Sequence, residues 1–216
     1  MAENRDLVGE VFEALQRLIT SGEIMPGEKV NENQLAQRFA VSRAPIREAV
    51  RRLEQYGLIE IIPNRGAVVR KLGITEILNL YDVRAGLAYA AGRLLPVRAA
   101  REDLDRLQAL ILDMEGAARA GDCDAFGDIN ITFHDLIFKA TRNPSLYNLA
   151  MQQEVILKSF LMDEVGNGVV LRESNLQHKE IMDAALYNDA EGCARCFSRH
   201  VLIGKQRLID NSRFPG

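Results

Sequence analysis

The chain has 216 residues, 47% of them hydrophobic, which excludes intrinsic disorder and allows one large domain or two modest ones. No apolar run approaches a membrane span, and Met1 to Asp6 is polar and acidic, unlike a signal peptide; the expected location is the cytoplasm, with Cys123, Cys193 and Cys196 as reduced thiols. The net charge of -3 excludes a molecule coated in nucleic acid, yet Arg38 to Lys71 holds 8 basic residues against 3 acidic, whereas Gly73 onward holds 16 against 20.

In chain order, Leu7, Val11, Leu15, Leu18 and Ile19 predict a helix from about Asp6 to Ser21, stopped by Gly22, before a turn at Pro26-Gly27. Asn31 is placed to cap a second helix, with Gln34 in capping-box position and Leu35 and Phe39 facing inward to near Ala40. A third helix begins after Ser42, a good N-cap, and Pro45 falls inside its first turn, where a missing N–H breaks no bond. Ile46, Val50 and Leu53 form its buried stripe, while Arg43, Arg47 and Arg51 step by four along another face. Three arginines on an arbitrary helix are most simply a solvated face. Here the link from Phe39 to Ser42 is so short that the two helices must meet steeply, as a helix-turn-helix whose second member enters a DNA groove.

Gly57 ends the arginine helix, and Leu58 to Ile62 followed by Ala67 to Arg70 reads as two strands joined by Pro63-Asn64-Arg65-Gly66. A hairpin directly after a helix-turn-helix is a wing. Its tip pairs Arg65 with Gly66, a combination suited to a narrow minor groove, although the same residues also make an ordinary polar turn.

After a linker at Lys71 to Thr75 the strand pattern stops, dividing the chain into 1–72 and 73–216. Helices are expected over about 75–95, 101–120, 122–141, 145–163, 172–187 and 190–210, with Thr75 and Asp122 as caps, Pro96 and Pro144 as punctuation and Gly121 as a stop. The fold class is therefore mainly α: an N-terminal winged helix-turn-helix and a C-terminal all-α antiparallel bundle. His134, His178 and His200 lie on three different bundle helices, and Asn130 shares a helix face with His134. That is the right count for a divalent metal with open positions. Spacing alone leaves open that these are satisfied core or surface histidines, or that Cys193-x-x-Cys196, one turn before His200, makes a thiolate site.

Two resemblances bear on this reading. Pro26-Gly27-Glu28-Lys29, Gln34-Leu35-Ala36, Val41 to Ala49, Arg52-Leu53-Glu54, Gly57-Leu58-Ile59 and Asn64 to Val69 resemble the GntR-type winged-helix transcription regulators. The resemblance implies that Ser42, Arg43 and Arg47 contact operator DNA, with Arg65 and Gly66 at the wing; Arg51 is a phosphate or solvent contact. Some relatives carry an arginine where this chain has Asn33. Leu80 to Arg84, Asn130 to His134, Asn143 to Leu146, His178 to Ile181 and His200 are similar to the FCD ligand-binding domain of the FadR subfamily. That similarity implies a divalent metal, often zinc or nickel, held by Asn130, His134, His178 and His200 beneath a cavity for a small carboxylate. Departures are Asn130 in place of a common aspartate, Ala88 in place of a glutamate, and Arg142 where a glycine often precedes Asn143, leaving Asn143 to take the left-handed turn.

Arg84 is the candidate partner for the effector carboxylate, with a structural salt bridge as its alternative. The expectation is a homodimeric regulator on a pseudo-palindromic operator, released by a small organic acid bound through the metal. Two rivals stand beside it. One is a metal-dependent hydrolase, for which no carboxylate is obviously placed as a general base; the other is a DNA-binding regulator whose C-terminal bundle only dimerises.

Overall fold

The computed structural model describes residues 2–160 and 168–211. Among them are nine helices and two strands, and the chain divides into two compact units. The first runs to Ile74 and also takes in α7 (Pro144–Phe160) from Glu154 onward; the second begins at Thr75.

In the first unit α1 (Ala2–Thr20) buries Val8, Val11, Leu15, Leu18 and Ile19, and packs on α3 (Arg43–Gln55). α2 (Glu32–Arg38) starts where Asn31 Oδ1 accepts from the N–H groups of Asn33 and Gln34, both at 3.2 Å. Its end makes the helix-turn-helix corner: Val41 N–H reaches back to Ala36 O and Ala40 N–H to Gln37 O, with Ala40 at φ +53° where glycine is usual. The same pair of bonds closes α3, from Leu58 N–H to Leu53 O and from Gly57 N–H to Glu54 O, with Gly57 left-handed at φ +78°. Ser42 occupies the N-cap position of α3, but its hydroxyl makes no capping bond.

β1 (Ile59–Ile62) pairs antiparallel with β2 (Gly66–Val69), Ile59 opposite Val69 and Ile62 opposite Gly66. The strap before α2 lies along the other edge of β2, with Gly27 N–H bonded to Val69 O, Val69 N–H to Glu28 O and Val30 N–H to Ala67 O. β2 is thus bonded along both its edges, where a two-stranded ribbon alone is marginal in water.

The second unit consists, among the described residues, of α4 (Ile74–Arg98), α5 (Arg101–Ala120), α6 (Cys123–Ala140), the N-terminal part of α7, α8 (Gly168–Leu186) and α9 (Ala190–Asn211). Leu95, Leu107, Met114, Phe133, Ile137 and Phe197 are its most deeply buried large side chains. Asp122 caps α6 by accepting from Ala125 N–H, and Gly121 ends α5 at φ +71°, both as expected.

Three local expectations are corrected. Pro96 does not end α4; Ala99 N–H still bonds Leu95 O, so the proline costs only one bond in the last turn while Leu95 is fully buried. Thr75 lies inside the first turn of α4, which starts at Ile74. The left-handed residue before α7 is Arg142, at φ +51°, because Asn143 itself caps the helix, accepting from Leu146 N–H, and a cap needs extended backbone. The guanidinium of Arg142 bonds Asp103 at 2.6 Å. The expected helix end at Asp163 lies outside the described residues.

Candidate nucleic-acid interface and metal centre

Burial of Pro45, Ile46, Ala49, Val50 and Leu53 fixes which face of α3 is left over, and Ser42, Arg43, Arg47 and Arg51 all lie exposed on it. At the wing, the turn is closed by Arg65 N–H to Ile62 O, with Asn64 and Gly66 left-handed at φ +63° and +88°. Arg65 is exposed and also donates to Gly27 O at 3.2 Å. A cleft of about 360 Å³ has Arg43, Asn33, Lys29 and Gly66 among its walls, so the helix and the wing flank one concavity. Glu32, which sequence reasoning passed over, accepts from Arg47 Nε at 3.0 Å and lies 4.0 Å from Arg43 Nη2.

The histidines reach one another because each replaces an apolar residue on an inward stripe. His134 follows Phe126 and Phe133 on α6, His178 lies between Leu171 and Met182 on α8, and His200 continues Cys193 and Phe197 on α9. His178 Nε2 is 3.3 Å from His200 Nε2, which is itself 3.3 Å from His134 Nε2. His134 stacks on Phe197 with ring centroids 5.5 Å apart, and His178 packs on Phe133 at 4.8 Å. His178 is fully buried, and its Nδ1 has no partner among the described residues.

Burial is the first cause that keeps all three rings neutral. It holds His134 well below the usual value, helped by His200 and Arg84; His178 likewise, helped by His200 and His134; and it brings His200 down to about 4, helped by Arg84 and Arg207.

These residues fit a divalent cation. His200 Nδ1 meets Gln177 Oε1 at 2.8 Å, and since an amide oxygen only accepts, Nε2 of the neutral ring is bare. A bare nitrogen satisfies one donor, not two, so three facing nitrogens are under-satisfied unless something electrophilic joins them. Two nitrogens each about 2.0–2.1 Å from a tetrahedral ion stand roughly 3.3 Å apart. Asn130, one turn before His134, has a buried Oδ1 without a partner among the described residues, and an amide oxygen there could serve as a further ligand.

Both cysteines of the C-x-x-C stay outside the cluster: among the described His, Cys, Asp and Glu residues only the three histidines share it. Cys193 is fully buried, with burial pushing its thiol up to about 12, so it is a core residue rather than a thiolate. Arg84 is half-buried on α4, its guanidinium carbon 5.6 Å from the Tyr81 ring centre, and its charge bears on His134 and His200. Arg207, two turns beyond His200, adds a second cation; Gln177 and Arg207 escaped sequence reasoning because their roles depend on which helices meet.

A winged helix-turn-helix joined to an all-helical domain defines a DNA-binding transcription regulator, not an enzyme. Residues 7–69 match the bacterial regulatory proteins of the gntR family and residues 79–202 match the FCD domain; the chain belongs to the GntR family, FCD-containing branch. It is 34% identical over 141 residues to the uncharacterized HTH-type transcriptional regulator YdhC of Bacillus subtilis, covering 65% of this chain and 63% of that relative. To the HTH-type transcriptional repressor RspR of Escherichia coli it is 27% identical over 197 residues, 89% of this chain and 84% of RspR. The solved structure of E. coli McbR/YncC shares the fold, with a TM-score of 0.79, 24% identity and coverage of 94% of this chain and 97% of that one. No helix among the described residues is long and apolar enough to cross a membrane.

Proposed function

We propose that this regulator binds a pseudo-palindromic operator as a homodimer in the cytoplasm and is released by a small carboxylate that binds beside a divalent metal, zinc or nickel, in the helical domain. The observation that carries the reading is the meeting of three imidazole Nε2 atoms from three helices, with that of His200 bare and 3.3 Å from each of the other two. His178 Nδ1 and Asn130 Oδ1 are buried there without a partner among the described residues, and such burial costs about 1–3 kcal/mol for each group, which stability alone does not explain.

In this reading Asn130, His134, His178 and His200 hold the ion, which supplies Lewis-acid attraction for an anionic oxygen. Arg84 offers the carboxylate a paired donor edge. Phe133 and Phe197 hold the imidazoles in place and keep water out. On DNA, Arg43 and Arg47 reach base edges, each bidentate guanine contact contributing about 1–3 kcal/mol of discrimination. Ser42, Arg51, Arg65 and Gly66 set the register on phosphates and the minor groove. The effector acts by binding one arrangement of the dimer better than the other. RspR is named as a repressor, which supports repression here.

The test combines elemental analysis of the purified protein with thermal shift against a panel of small carboxylates, with and without chelator, and with operator gel shifts at fixed salt. Stoichiometric metal lost in His134→Ala, and an acid that shifts melting only when metal is present, are expected. Operator affinity indifferent to every acid and to chelation would leave the helical domain as a dimerisation module.

A further inference from the structure

The first residue of α2, Glu32, lies beneath the two arginines that the reading above assigns to base recognition. Its side chain is 28% exposed, against 55% for Arg43 and 57% for Arg47, so the guanidinium groups project past the carboxylate. One carboxylate oxygen, Oε2, serves both: it accepts from Arg47 Nε at 3.0 Å and lies 4.0 Å from Arg43 Nη2. The backbone of Glu32 is fixed in turn, because Asn31 Oδ1 holds the next two N–H groups of the helix.

We propose that Glu32 is a positioning residue for base reading, holding Arg47 by its Nε edge and drawing Arg43 toward the same oxygen, so that both guanidinium groups meet the major groove already aimed. The proposal rests on Arg43 and Arg47 being DNA contacts.

A guanidinium carries five N–H donors in a rigid fork. With Nε occupied by Glu32, the terminal nitrogens of Arg47 remain to span O6 and N7 of a guanine, and the side chain loses less rotational freedom on binding. The carboxylate has a second effect. Held near the groove, it repels phosphates and weakens the sequence-independent part of binding, which arises from charge neutralisation. Glu32 therefore trades total affinity for the ratio between a cognate and an arbitrary duplex.

The experiment uses the full chain and a duplex enriched by the wild type from a random pool. Its affinity is compared with that of a scrambled duplex of equal length by fluorescence anisotropy at two salt concentrations. Glu32→Ala is expected to reduce the cognate-to-scrambled ratio about tenfold, chiefly by tightening the scrambled complex and steepening its salt dependence. Glu32→Gln keeps an oxygen for Nε and loses the charge, so it should tighten the scrambled complex while retaining more of the ratio. A merely structural role would lower the melting temperature and weaken both complexes alike. A ratio for Glu32→Ala within about twofold of wild type, while Arg47→Ala loses the preference, would overturn the proposal. If Arg47→Ala also keeps its preference, the underlying reading of the arginines falls instead.

Discussion

His200 donates its Nδ1 hydrogen to Oε1 of Gln177 across 2.8 Å, and that one bond decides which nitrogen of the ring faces His134 and His178. Loss of such an outer partner typically weakens a metal site 10–100-fold. Gln177→Leu should therefore lower affinity for zinc by about that factor in a competition titration with a chromophoric chelator. Gln177→Glu, which keeps the acceptor, should retain it. Equal affinities in Gln177→Leu and wild type would show that packing against Phe197 and its neighbours orients the rings unaided.

Asn130 makes the proposed ligand set neutral, and the groups whose charge bears most on His200 after burial are Arg84 and Arg207. A carboxylate at position 130 would be the first anion in the shell. Asn130→Asp is expected to tighten metal binding by about tenfold or more, and to weaken the apparent affinity for an anionic effector, since part of its charge-balancing role is taken. Titrations of metal and then of carboxylate into the two proteins measure both effects. Unchanged metal affinity would remove Asn130 from the site.

Stripped of metal, the protein should lose stability as pH falls. Burial holds the three histidines neutral in the fold, His200 down to about 4 against an ordinary value of 6.5. Below 6.5 the unfolded chain takes up protons that the native state refuses, so the unfolded state gains and native stability declines, continuing to about 4 where His200 itself titrates. Well above 6.5, where the unfolded chain is also unprotonated, these groups contribute no slope. Urea unfolding midpoints of chelator-treated protein at pH 7.5, 6 and 5 test this against His178→Leu, whose slope over that range should be shallower.

At Gly92 the backbones of α4 and α9 come close: a Cβ there would stand 2.5 Å from Ala194 Cα and 2.7 Å from Cys193 O. Both are backbone atoms and cannot swing aside. Gly92→Ala should cost about 1–3 kcal/mol and, by displacing α9, reduce zinc affinity although it touches no ligand. Thermal melting and the same chelator competition provide the measurements; a variant matching wild type in both would mean that the helices separate at no cost.

What could be read from the sequence was what is local. Asn31, Gly57 and Asp122 act through hydrogen bonds and backbone angles within a few residues of themselves, so the helix-turn-helix, the wing and α6 were legible from residue type and spacing. The histidines were legible as candidates because each lies on a different predicted helix and their surrounding residues resemble the FCD domain, but that the helices bring them to one point is a property of helix packing. Arg207 and Gln177 carry no local mark at all. Asn143 was misjudged for a physical reason: an asparagine suits both a left-handed turn and an N-cap, and the cap prevailed, leaving the strained angle to Arg142.

The strap from Gly27 to Val30 has one more effect, on encounters between copies of the molecule. An exposed strand offers a row of unpaired amides on which another chain can build, and β2, with Ala67, Val68 and Val69 all buried, is apolar enough to invite it. Because Gly27, Glu28 and Val30 already take the hydrogen-bonding positions of Val69 and Ala67, that edge is closed in the folded state. Variants that loosen the strap, such as Gly27→Val at φ +86°, would open a template for intermolecular sheet, and turbidity on storage would report it before any loss of DNA binding.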